Sequence, residues 1–190
     1  MPVTPELPTL KFASAAAWDK WLSKHHATSG VWIQMAKKAT GIPSVDWDEA
    51  VDVALCHGWI DGQRNSLDAE YFLQRYTPRR ARSIWSKRNI EKIKRLTAEG
   101  RMRPAGLAEV ERAKKDGRWE AAYGSSKEMV VPEDFLKALK KSKKARATYD
   151  TLKAAGRFAI SFRLHTAKKP ETRARRFDAL MVMLEAGAFK

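Results

Sequence analysis

Cysteine is almost absent. Cys56 stands alone, which excludes an intrachain disulfide and a cysteine-based metal cage. It lies in the apolar run AVDVALCHGW, the setting of a small buried hydrophobe rather than a reactive thiol. Histidine is scarce too: His25, His26, His57 and His165 show neither HxxH nor HExxH spacing, so no zinc site is preassembled. No apolar run approaches the roughly 18 residues that a membrane span needs. The first residues, MPVTPELPTLKF, lack a basic stretch followed by an apolar core, so a secretory signal is not expected and a cytoplasmic location is the default. A glycine-rich phosphate loop, a GxSxG elbow and a carboxylate pair with a matching acid–base partner are also missing. No catalytic residue, cofactor or metal is therefore expected.

Positive charge is what the chain has in excess. The formal net charge is +15 over 190 residues, and it is unevenly placed. Residues 1–76 hold 7 Lys/Arg against 9 Asp/Glu, whereas residues 77–190 hold 30 against 13. Such asymmetry points to a polyanionic partner for the C-terminal part: nucleic acid, a phosphate-bearing surface or an acidic protein surface. A solvated lysine-rich surface is the plain alternative.

Local signals give the elements. Three prolines in the first ten residues suggest a segment draped over the domain. Ser14 is placed to cap a helix running to about His26, with Ala15, Trp18, Trp21 and Leu22 at helical spacing. Val31–Lys38 alternates as a strand. Asp46 and Glu49 have the spacing of a capping box for a helix ending near His57 and stopped by Gly58. Trp59–Asn65 and Glu70–Thr77 read as a hairpin. Beyond Pro78 the pattern turns helical: Ile84–Ala98, Pro104–Lys115, Pro132–Lys140, Lys143–Ala155, Arg157–Thr166 and Pro170–Glu185. Trp119–Ser126 reads as a loop. The expected fold is α+β: a small antiparallel sheet with flanking helices in residues 1–78, then a basic all-helical part in residues 79–190, packed as one compact unit.

Two basic turns carry the chemistry. Arg79, Arg80 and Arg82 follow the hairpin and precede Trp85 and Lys87, at what reads as a helix start. Free N–H groups at such a start favour anions, and guanidinium groups add bidentate donors for phosphate or carboxylate. The plain alternative is a joint whose arginines pair with Asp61, Asp68 or Glu70. The second turn, KKPETRARR, brings Lys168, Arg173 and Arg176 to another helix start, just after His165. His165 reads as a helix-end cap and Asp61 as a turn residue, although either suits an acid or base.

The phrases ALCHGWIDGQ, YFLQRYTPRRARSIWSKRN, EGRMRPAGLAEVERAKKDGRW and RLHTAKKPETRARR, in this order, resemble the YdeI/OmpD-associated bacterial proteins. The resemblance spans roughly Ser44–Glu185, with His57 standing where an aromatic is expected. It implies a link to envelope stress and to protection against bacteriocins, and brings no reaction or ligand with it. The resulting expectation is a non-enzymatic stress-protection protein. Its two arginine turns, supported by Trp59, Asp61, Trp85 and His165, form an anion-recognising surface where the halves meet. Nucleic-acid binding by the C-terminal helices is one alternative, and an enzyme acting on a small anionic substrate is another.

Overall fold

The computed structural model describes residues 7–125 and 128–189. Most of the expected N-terminal drape, Met1–Glu6, lies outside the described residues, as does Ser126 at the end of the expected Trp119–Ser126 loop. The chain divides into two units: Met1–Trp85 with Asn89–Ala122, and Ser86–Arg88 with Tyr123–Lys190. The change of sequence character at Pro78 therefore does not coincide with a unit boundary.

The first unit is built on a four-stranded sheet. Strand β1 (Thr9–Leu10) runs parallel to β2 (Val31–Ala36), while β3 (Trp59–Ser66) and β4 (Tyr71–Pro78) form the expected hairpin. The strand order is β1-β2-β4-β3, so the sheet is mixed, with an antiparallel majority. A bulge interrupts β3 between Asp61 and Arg64. Buried Gln74 fills it, its side-chain amide donating to the carbonyls of Gly62 (3.0 Å) and Gln63 (3.2 Å). A buried amide that reaches two carbonyls of the bulged stretch supplies bonds where the ladder is irregular.

Helices α1 (Ala15–His25) and α2 (Trp47–Cys56) begin at the predicted caps. The Ser14 hydroxyl accepts from Ala17 N, and Asp46 with Glu49 closes a capping box. Both helices contribute to one core, where Trp18 meets Trp59 and Tyr76 at centroid separations of 6.1 and 5.6 Å. Helices α3 (Lys87–Ala98) and α4 (Pro104–Lys115) add Ile90, Ile93, Leu96, Val110 and Ala113 to that same core. Between α2 and α3, the side chain of Asp52 receives Lys92 Nζ at 2.6 Å and an Arg95 guanidinium. The backbones of α2 and α4 approach so closely that Gly106 has no room for a Cβ against the carbonyl of Cys56.

In the second unit, α5 (Glu133–Lys141), α6 (Lys143–Thr151), α7 (Ala154–His165) and α8 (Pro170–Glu185) enclose a separate core of Phe135, Leu139, Ile160, Leu164, Leu180 and Leu184. The break between α6 and α7 falls at Leu152 and Lys153, both extended, rather than at Gly156. Gly156 sits inside α7 because a Cβ there would crowd the Leu152 side chain at 3.3 Å. The glycine serves close packing and does not mark the helix end. Among the described residues no helix is long and apolar enough to cross a membrane.

Candidate functional site

The first arginine turn is a pinned loop, and helix α3 begins after it, at Lys87 instead of Ile84. Two buried arginines explain the delay. Arg79 Nη1 donates to the Ile84 carbonyl at 3.3 Å, and Arg118 Nη1 donates to the neighbouring Ser83 carbonyl at 2.8 Å. Carbonyls held by these side chains are drawn out of the helical ladder. Arg79 also covers the Trp85 ring, 3.6 Å from its centroid, and Trp85 in turn packs on Trp119 at 5.1 Å. The backbone N–H of Arg79 donates to Gly58 O at 3.0 Å, which fixes the start of the loop. Arg118 is oriented by the carboxylate of Asp116, whose two oxygens each lie 2.8 Å from its Nε.

Within this frame, residues 80–83 close a tight turn. Ser83 N donates to Arg80 O at 2.9 Å, and Arg80 N donates to Ser83 Oγ at 3.0 Å. The Arg80 and Arg82 side chains are exposed at its tip and make no hydrogen bond or ion pair among the described residues. Trp59 and Trp85 are only 1% exposed, so neither lines a surface. Trp59 Nε1 donates instead to the His26 carbonyl at 2.9 Å. Asp61 sits half-buried on β3, paired in register with Tyr76. Of the residues expected on a surface in this unit, Arg80 and Arg82 are the exposed ones.

The remaining predicted residues belong to the second unit. Lys87 pairs with Glu128 at 2.8 Å. Arg173 grips Asp134 in a two-point ion pair, 2.9 and 2.8 Å, and that hydrogen-bonded guanidinium holds the Asp134 carboxyl below its ordinary range. Arg176 Nη1 donates to Arg163 O at 2.8 Å and to Thr166 Oγ1 at 3.2 Å, capping the end of α7. His165 Nε2 donates to Val130 O at 3.0 Å, a contact within the fold. Lys168 is exposed and unpaired among the described residues.

One constellation has no signal in the sequence. His57 Nε2 lies 2.8 Å from Asp19 Oδ1, and Asp19 Oδ2 lies 3.1 Å from Arg103. Burial is the largest influence on the Asp19 carboxyl and would raise it. The hydrogen bonds and charges of His57 and Arg103 together outweigh burial and hold it below the usual aspartate range. A cavity of about 330 Å³ lies beside this network, lined by Ala15, Asp19, Cys56, Arg101 and Arg103 among others. Cys56 offers no nucleophile there, because burial pushes its thiol up to about 11. The residues lie 38 and 84 positions apart, and the packing of α1 and of α4 on α2 unites them.

The fold and these sites can be set beside known proteins. No curated protein and no solved structure gives a significant match to the chain. Residues 10–109, which include the Asp19–His57 network and the arginine turn, match a domain of unknown function, DUF8412. Residues 128–187, which include the TAKKPETR phrase, match the OmdA family, described as bacteriocin-protection, YdeI or OmpD-associated. The chain therefore belongs to the DUF8412 family, whose model spans more than half of its length, and over residues 128–187 it carries a domain similar to the bacteriocin-protection, YdeI or OmpD-associated proteins.

Proposed function

We propose that this bacteriocin-protection-associated protein works by binding, without catalysis, and that it recognises an anion through Arg80 and Arg82. The observation that carries the reading is the division of labour in one loop. Arg79 and Arg118, both 5% exposed, hold the turn from behind, while Arg80 and Arg82 project from it unpaired among the described residues. A turn fixed before the ligand arrives avoids most of the ordering cost of binding. Two guanidinium groups present planar forks suited to phosphate or carboxylate oxygens. A cationic bacteriocin would be repelled by such a surface, so protection is better served by occupying an anionic target than by capturing the toxin.

Calorimetric titration with inorganic phosphate and pyrophosphate tests the reading. Arg80→Glu with Arg82→Glu should abolish the heat of binding while leaving the far-ultraviolet dichroism intact. Binding that survives the double charge reversal would overturn it.

A second reading rests on a separate observation. The second unit holds 18 Lys/Arg against 7 Asp/Glu, and Lys168, Lys169 and Arg175 are exposed at the start of α8. That composition suits a nucleic-acid backbone. Duplex binding should weaken with a log–log salt slope of about 0.9 per phosphate neutralised. Absent or salt-insensitive binding at low ionic strength would dismiss this reading.

A further inference from the structure

The second unit carries a groove of about 520 Å³ with a lining of mixed polarity, in which Val130, Leu136, Leu152 and Phe158 supply apolar surface and Arg157 a cation. Val130 is 70% exposed and leaves its side chain open to a partner at the mouth of the groove. The segment that bears it is fixed in place, because the Val130 carbonyl accepts from Ser161 Oγ at 2.6 Å and from His165 Nε2 at 3.0 Å. The next residue, Val131, leaves both its N–H and its C=O without a hydrogen bond among the described residues. A fixed segment with free backbone groups beside a groove can hydrogen-bond an extended peptide laid along it.

Charge decides what kind of chain. The carboxylates on the elements around the groove are already matched: Glu128 by Lys87, Glu133 by Lys137, Asp134 by Arg173 and Asp150 by Arg146. The cations at the rim are not. Arg157 lies over the Tyr149 ring at 5.2 Å and has no carboxylate partner among the described residues. Lys153 stands between the groove residues Leu152 and Ala154, and Lys140 lies one helical turn beyond Leu136 on the same face of α5; both are exposed and unpaired among the described residues. We propose that this groove docks a short extended segment of an acidic partner protein, with a large apolar side chain of that segment seated against Val130, Leu136 and Leu152. Its flanking carboxylates meet Lys140, Lys153 and Arg157. The groove has room for a few large side chains, which fits a short linear segment better than a long helix. This site uses no residue of the Arg80–Ser83 turn and stands independently of the function proposed for it.

Selection of a random-peptide display library against the intact chain tests the proposal, followed by fluorescence anisotropy of a labelled selected peptide. The expected enrichment is for Leu, Ile or Phe flanked by Asp and Glu. Val130→Glu and Arg157→Glu, both at exposed positions that the fold tolerates, should each weaken the selected peptide by roughly tenfold or more. Arg80→Glu with Arg82→Glu should bind it as the parent does. The proposal is overturned by a selection without enrichment, by winners lacking acidic residues, or by winners that bind the Val130 and Arg157 variants unchanged. Sedimentation showing a dimer that Val130→Glu dissociates would assign the groove to a second copy of this chain instead, and would equally overturn it.

Discussion

The guanidinium of Arg79 lies 3.6 Å from the centre of the Trp85 ring, and both side chains are withdrawn from solvent. Stacking on the ring, the hydrogen bond to Ile84 and the plane of the guanidinium all depend on arginine, so a lysine does not substitute. Arg79→Lys should lower unfolding stability by about 2 kcal/mol in urea titrations. Arg80→Ala, at the exposed tip, should change it by no more than about 0.5 kcal/mol. Equal effects at the two positions would remove the distinction between pinning and presenting arginines.

Asp52 stands between Lys92 and Arg95, and its side chain and that of Lys92 are each only 10% exposed. Asp52→Asn leaves the Lys92 ammonium in the interior with Asp48 as its remaining partner at 3.0 Å. Removing one member of a buried pair costs about 3–5 kcal/mol, whereas replacing both by apolar residues costs less. Chemical denaturation of Asp52→Asn and of the double variant Asp52→Leu with Lys92→Met should show that order.

Helix propensity favours alanine over glycine by about 1 kcal/mol in a helix interior. Gly106→Ala should nevertheless destabilise the protein. The added Cβ would lie 2.8 Å from the Leu55 carbonyl oxygen and nearer still to that of Cys56, so α4 must move off α2. Thermal unfolding of Gly106→Ala should shift downward, and an upward shift would contradict the close approach.

The acid limb of stability should depend on Asp19. Its carboxyl is held below the ordinary aspartate range by His57 and Arg103 acting against burial. A depressed carboxyl stabilises the fold fully above its unfolded value and loses that contribution as pH falls through the folded one. Stability of the parent should therefore fall between about pH 5 and pH 2, and Asp19→Asn should flatten part of that fall. Asp46 and Asp134 are lowered as well and act in the same direction, so the slope should shrink without vanishing.

Elements with a local cause were legible in the sequence. Ser14, the Asp46–Glu49 box, Pro104 and Pro170 start their helices where their own chemistry places them. The fold class followed from these signals and from the hairpin spacing. What escaped was set by distant partners. Strand β1 has two residues and exists only through its pairing with Trp32 and Ile33. The apolar spacing of Ile84 and Trp85 looked helical, but Arg79 and Arg118 hold the carbonyls of Ile84 and Ser83 elsewhere. Gly156 looked like a terminator, and its role is to admit Leu152. The basic phrases were conspicuous as text. Which arginines face solvent depends on Trp85, Asp116 and Asp134, and no spacing rule reveals that.

The most direct test of the account is amide chemical-shift mapping of the intact chain during titration with pyrophosphate. Saturable shifts should be largest at Arg80–Ser83 and absent when Arg80 and Arg82 are both changed to glutamate. Shifts confined to other residues, or persisting in that variant, would contradict it.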